Sequence, residues 1–329
     1  MLGTLFILMT TATLPSSTVP AIDSGKLVVV NQHDHTVQLV DTVGRKALGT
    51  VTVGINGHEV AVSKDGRFAY VPIYSNVGVG SPGTDGDHID VVDLHEFKVV
   101  RSIYLGKPVR PHRALFGKDG LLYVSAELDD AIYAVDTRTD QVVAKIPTGQ
   151  KETHMFVFSK DGRRAYTSNV GAGSVSVLDL KKHELVTVIP ISAVAQRISI
   201  SVDGKTVFTH DQRLPRIAEI DTKSDKVTGW IEIPAVAFAS SPTPDGKWLF
   251  VLSPDARQLY AVDLSTKEAS HTFDLPSSSI GLFVSPDGTT AFVSCIGSGQ
   301  IAVLNLKTWK MEPSIELSPG VDGMGWVGS

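Results

Sequence analysis

Residues 154–191 read "HMFVFSKDGRRAYTSNVGAGSVSVLDLKKHELVTVIPI". Four runs of aliphatic, aromatic and β-branched residues are separated by an Asp-Gly, a Gly/Ser/Asn loop and a polar loop after Asp179. Runs of that length and composition, bounded by turn residues, read as short strands. Gly accepts the positive φ that a tight hairpin needs. The same grammar recurs along the chain. The glycine of the hairpin falls at 66, 120, 162, 204, 246 and 288, the last four intervals being 42 residues each and the first 54. A degenerate copy, "DSGK", places Gly25 another 41 residues upstream. Seven units of four antiparallel strands, with no amphipathic helix between them, predict an all-β, seven-bladed propeller.

The ends fit a closed ring. The first unit opens at "KLVVV" (26–30), equivalent to the second strand of the other units, and its missing first strand appears as "VDGMGWVGS" (321–329). The innermost strand of blade 1 is therefore expected from the C-terminus, a clasp that leaves no open sheet edge. "FAYVPI", "LLYVSA", "RAYTSN" and "TAFVSC", each followed by a strand such as "VSVLDL", resemble the YVTN-type β-propeller repeats. The resemblance covers nearly all of the chain after residue 21. It implies a surface protein, a binding protein, or a relative of lactonases, lyases and cofactor-bearing oxidoreductases; fold alone does not choose among them.

Composition narrows the classes. The chain has 329 residues, 42% of them apolar, and a net charge of −5. No long Lys/Arg run is present, so nucleic acid is not an expected partner. The one cysteine, Cys295, excludes an internal disulfide and a Cys-based zinc site. Residues 2–14 are apolar or hydroxylated and uncharged, and Val19 and Ala21 suit a cleavage site, so residues 1–21 read as a signal peptide and 22–329 as the propeller. The expectation is a periplasmic or secreted monomer, free of the membrane after cleavage, that binds a small molecule.

Residues repeated in every unit read as structural. Asp41, Asp93, Asp136, Asp179, Asp221, Asp263 and Asn305 close the third strands, where a side-chain oxygen can accept backbone N–H bonds of the following turn. Asymmetry marks a site. The residue eight before each hairpin glycine lies on the opposite, upper rim of the channel; in ring order that column is Asp322, His58, His112, His154, Gln196, Phe238 and Ile280. One arc is polar and ligand-capable, the other neutral or apolar. His33, His35, His88 and His210 map to loops of the same face, Arg113 and Arg197 each follow a column residue, Glu59 follows His58, and Glu127 lies near the rim.

Four readings fit this arc. His58, His112, His154 and Asp322 are the residue types that bind zinc, copper, iron or nickel. The three histidines also suit metal-free acid–base catalysis, with Glu59, Arg113, Gln196 and Arg197 holding an anionic substrate. A larger cofactor such as a tetrapyrrole or quinone across the mouth is a third reading. Histidines inherited by duplication and bonded to loop carbonyls or channel water are the fourth. The function expected is binding of a small anionic ligand, with a lactonase-like hydrolase or lyase and a non-catalytic interaction propeller as alternatives. The glycine-rich insertion of blade 2, within "YSNVGVGSPGTDGDH" (74–88), reads as a flexible lid beside His58 and His112 or as a tolerated surface loop.

Overall fold

The computed structural model describes residues 25–328; the expected signal peptide lies outside them. Strands β1 (Lys26–Asn31), β2 (Thr36–Asp41) and β3 (Lys46–Thr52) form blade 1 with β28 (Val321–Val327), in the order β28-β1-β2-β3. The register runs Lys26↔Val327 to Asn31↔Val321, so the C-terminal strand is the innermost of blade 1, as the sequence predicts. Blades 2 to 7 each use four consecutive antiparallel strands, from β4 (Ala61–Val62) to β27 (Lys310–Glu316).

Local chemistry accounts for the repeat. Each hairpin glycine is left-handed, for example φ +74 at Gly162, and its N–H bonds to the carbonyl three residues back (Gly162 to Ser159, 2.8 Å). The residue closing each third strand accepts the amides of the next turn: Asp179 Oδ1 takes those of Lys181 and Lys182 at 3.0 and 2.9 Å, and Asn305 Oδ1 those of Lys307 and Thr308 at 3.0 and 3.1 Å. The second-strand aromatics Tyr70, Tyr123, Tyr166, Phe208 and Phe250 are buried in the core between blades.

The insertion of blade 2 leaves after β5 (Phe68–Pro72) and returns at β6 (His88–Asp93). It is tied down rather than hanging free. Gly86 N–H bonds to Tyr74 O (2.7 Å), and its own carbonyl accepts from Val109 (3.0 Å) and Arg110 (3.1 Å). A Cβ at residue 86 would overlap the carbonyl oxygen of Ile73, which requires glycine there. Buried Arg110 donates to Asp85 Oδ1 and to Ser81 O, both at 2.5 Å, pinning the loop over the upper face.

Among the described residues the only helix is the 3₁₀ turn Glu127–Asp129; no helix is long and apolar enough to cross a membrane.

Candidate functional site

The column residues meet around the channel because of an irregularity shared by the inner strands. β8 (Pro111–Phe116) shifts register between Pro111 and Ala114, β12 (Thr153–Phe158) between Thr153 and Met155, and β16 (Ala195–Ile200) between Ala195 and Ile198. β28 shifts where it carries Asp322, opposite Val29 and Asn31. Bulges re-aim side chains and relax the strict alternation of a strand. His112 and the adjacent Arg113 are thereby both engaged at the centre, the first among the imidazoles and the second at the cavity. Hydroxyls of neighbouring strands lock these bulges: Ser125 Oγ bonds to His154 O (2.7 Å) and accepts from Arg113 N (2.9 Å), while Thr209 Oγ1 bonds to Arg197 O (2.9 Å). Gln196 is half-buried, its carbonyl taking the hydroxyl of Ser168.

His58, His112 and His154 form one packed group. Ring centroids lie 5.2 Å apart for His58–His112 and 3.8 Å for His112–His154. Tyr74, at the root of the insertion, fits against His58 (4.9 Å) and His112 (5.2 Å) and is fully buried. The mouth expected to be open is therefore capped, and His112 and His154 are 1% and 2% exposed. Below Tyr74, Glu127 accepts from the Tyr74 hydroxyl (2.8 and 2.9 Å) and pairs with His154 Nδ1 (2.9 Å); Arg110 stands 3.8 Å from the same carboxylate. His58 Nε2 and His112 Nδ1 are buried without a partner. Burial holds His58 down at about 3 and His112 well below the usual range, with the charge of His154 adding to the effect in both, so these imidazoles are neutral.

Beside the histidines stands a charged bracket. Glu59, 2% exposed, accepts from Arg113 Nη1 and Arg197 Nη1, each at 2.7 Å. Burial alone would raise the Glu59 carboxyl, but the two guanidiniums outweigh it and hold the group below its ordinary value. Asp322 lies 3.8 Å from Arg197 and 3.7 Å from His58 Nδ1. Burial, aided by the Glu59 charge and opposed by Arg197, pushes Asp322 up to about 8. At neutral pH two guanidiniums thus face one full carboxylate. Arg113 Nε and Arg197 Nε have no partner, and the Arg197 guanidinium sits 5.0 Å from the Phe238 ring. These three charged residues line a channel cavity of about 260 Å³.

Of the eight candidate residues, the three histidines gather under Tyr74, Arg113, Glu59 and Arg197 form the bracket, and Asp322 stands between the two; Gln196 joins neither group. Other histidines assigned to this face do different things. His35 Nδ1 accepts from Asn56 N (3.0 Å) in a loop, and His88 pairs with Asp87 (2.7 Å). His210, the fifth residue of β17 (Thr206–Asp211), is fully buried with neither ring nitrogen paired to a side chain, and burial lowers it to about 3. Tyr74 was not among the candidates; an aromatic at the root of the one long insertion was the signal for it. Among the described residues no three His, Cys, Asp or Glu side chains are arranged to hold a metal ion together.

Fold and site define a seven-bladed β-propeller with a polar, partly sealed channel. No protein-family profile and no curated protein matches the chain. Among solved structures it is similar to the dihydro-heme d1 dehydrogenase NirN in complex with DHE, at 18% identity and a TM-score of 0.71 over 96% of this chain and 78% of that one. It is also similar to Kuenenia stuttgartiensis hydrazine synthase, at 17% identity and a TM-score of 0.68 over 81% of this chain and 88% of that one. At these identities the likeness concerns the fold.

Proposed function

We propose that the channel binds a small anionic ligand between Arg113 and Arg197. The observation that carries this is a channel cavity whose ionisable lining is two guanidiniums, Arg113 and Arg197, against the single carboxylate of Glu59. An anion there would be held by charge-assisted hydrogen bonds and would offset the excess positive charge. Both solved neighbours are named as enzymes or enzyme complexes, and one holds a bound ligand, which suits a propeller of this kind as a ligand-binding scaffold. Thermal unfolding tests the reading. Adding acetate or sulfate should stabilise the wild type by RT ln(1 + [L]/Kd) and so raise its melting temperature, and should leave an Arg113→Gln/Arg197→Gln variant unmoved. An equal response of both proteins would contradict it.

A lactonase-like hydrolase or lyase would use His154 as the base; a protein-interaction propeller would not need it. Single replacement of His154 by Gln would abolish turnover in the first case and leave partner binding intact in the second.

A second reading, a transition metal at His58, His112, His154 and Asp322, is favoured by the two unpartnered imidazole nitrogens. It requires the stacked rings of His112 and His154 to turn apart. Elemental analysis of untagged protein beside a triple alanine variant of the histidines separates the two: near-stoichiometric zinc, copper, iron or nickel present in the wild type and absent from the variant supports the metal, and none in either supports metal-free chemistry.

We also read the chain as an exported monomer cleaved after Ala21. Intact mass of the protein from a periplasmic or culture-supernatant fraction should correspond to a chain beginning at residue 22.

A further inference from the structure

We infer that the channel ligand is an amphiphilic monoanion, a carboxylate carrying a compact aromatic or branched aliphatic body, with its charge at Arg113 and Arg197 and its body pointing to the hairpin rim. This rests on the anion reading of the same channel. Glu59, Arg113 and Arg197 are the only ionisable residues lining the cavity; the remaining lining residues are apolar or glycine. Leu115, Phe116, Leu282, Phe283, Met324 and Trp326 form the wall away from the bracket. Glycines 281, 323 and 325 bring bare backbone to that wall, each packed so closely against the neighbouring strand that a Cβ would overlap Ser294, His58 O or Val62.

Direction follows from what closes each end. Tyr74, His112 and Asp322 are at most 1% exposed and seal the upper end. Phe116, Phe283 and Trp326 lie toward the opposite rim and stay partly exposed. A ligand therefore enters from the hairpin rim with its charge leading and its body trailing along the aromatic wall.

Size and charge narrow the class. The volume of about 260 Å³ lies below the roughly 300–1,000 Å³ typical of drug-sized sites. At ~30 Å³ per water it equals about nine waters, a space matched by a benzoate-sized molecule. A second negative charge on the ligand would face the apolar wall with no donor, which is costly. A neutral molecule of the same shape would leave the guanidinium donors unpaired.

Isothermal titration with acetate, isovalerate, benzoate, benzyl alcohol and sulfate tests this, with Trp326 fluorescence as a second signal. Burying the body predicts that benzoate binds about 10- to 100-fold more tightly than acetate. Isovalerate should fall between them. The Arg113→Gln/Arg197→Gln variant should lose at least tenfold in benzoate affinity, and Leu282→Asn should weaken benzoate while leaving acetate unchanged. Acetate or sulfate binding as tightly as benzoate would overturn the amphiphile and leave the anion reading standing. Benzyl alcohol matching benzoate, or no anion binding at all, would overturn both. The ligand series on the wild type decides these outcomes even where a variant fails to fold.

Discussion

Glu59→Gln is expected to lower stability by about 3–5 kcal/mol in anion-free buffer, and added sulfate or acetate should restore much of the loss. The carboxylate is buried and takes one guanidinium on each oxygen, both at 2.7 Å. Removing one member of a buried ion pair leaves uncompensated charge, the costly half of such a pair. Here two cations would be left together. The neighbouring Asp322, pushed up to about 8 by burial with the Glu59 charge contributing, should come down in the variant and recover part of the loss. Removing a negative charge from the cavity wall should also tighten anion binding, by tenfold or more, since like charges beside the site oppose the ligand. Denaturant midpoints with and without sulfate measure both effects. A variant as stable as the wild type, with unchanged anion affinity, would show that the bracket is not the electrostatic centre of the channel.

The second large effect is on acid stability. Burial holds His58 and His210 down at about 3 and His112 well below the usual range, so the native protein keeps all three neutral where the unfolded chain protonates near 6.5. As pH falls through 6.5 the unfolded state takes up three protons that the native state refuses, and stability is lost progressively toward the native values. Asp322 acts with the opposite sign. Its native value of about 8 lies above the unfolded 3.8, so between those limits the native state holds a proton the unfolded state lacks, and that stability is lost as pH rises through 8. The balance near pH 5 is two protons in favour of the unfolded state, a slope of roughly 2–3 kcal/mol per pH unit. Between 6.5 and 8 the slope reverses and is about half as steep. Stability should therefore peak close to neutrality and collapse on the acid side. His210→Leu isolates one term. Blade 6 carries Leu252 at the equivalent position, fifth in the strand Trp248–Ser253, so the substitution copies an arrangement the repeat already accommodates. Its acid limb should be shallower by one proton. Unfolding curves from pH 4.5 to 9 for both proteins give the answer, and parallel acid limbs would contradict it.

Sequence periodicity carried the fold well because each blade obeys the same local rules. The left-handed glycines and the strand-closing Asp41 through Asn305 are short-range features, and the displaced first strand, although it joins the two ends of the ring, is read from the same repeat; all stand where the repeat put them. The site was legible only as a column. That Asp322, His58, His112 and His154 share one arc follows from the repeat. Their burial does not, since Tyr74 belongs to an insertion that no other blade has. The bracket joins Glu59 to arginines 54 and 138 residues away through bulges that break strand alternation, and alternation was the only guide to which side chains face the channel. Grouping histidines by face also overreached. His35 serves a loop amide and His210 is sealed within its blade, because residues assigned to one rim differ in depth.

The clasp sets a timetable for biogenesis. Among the described strands β1 is made first and β28 last, yet they share one ladder. Until residue 327 is free of the machinery that delivers it, blade 1 presents the inner side of β1 to any strand that can pair with it. Six complete blades beside an unfinished one form an open arc with a sticky end, a species prone to pairing with the next chain. Anything that delays β28 prolongs that exposure, so the yield of closed ring depends on how soon this strand reaches β1.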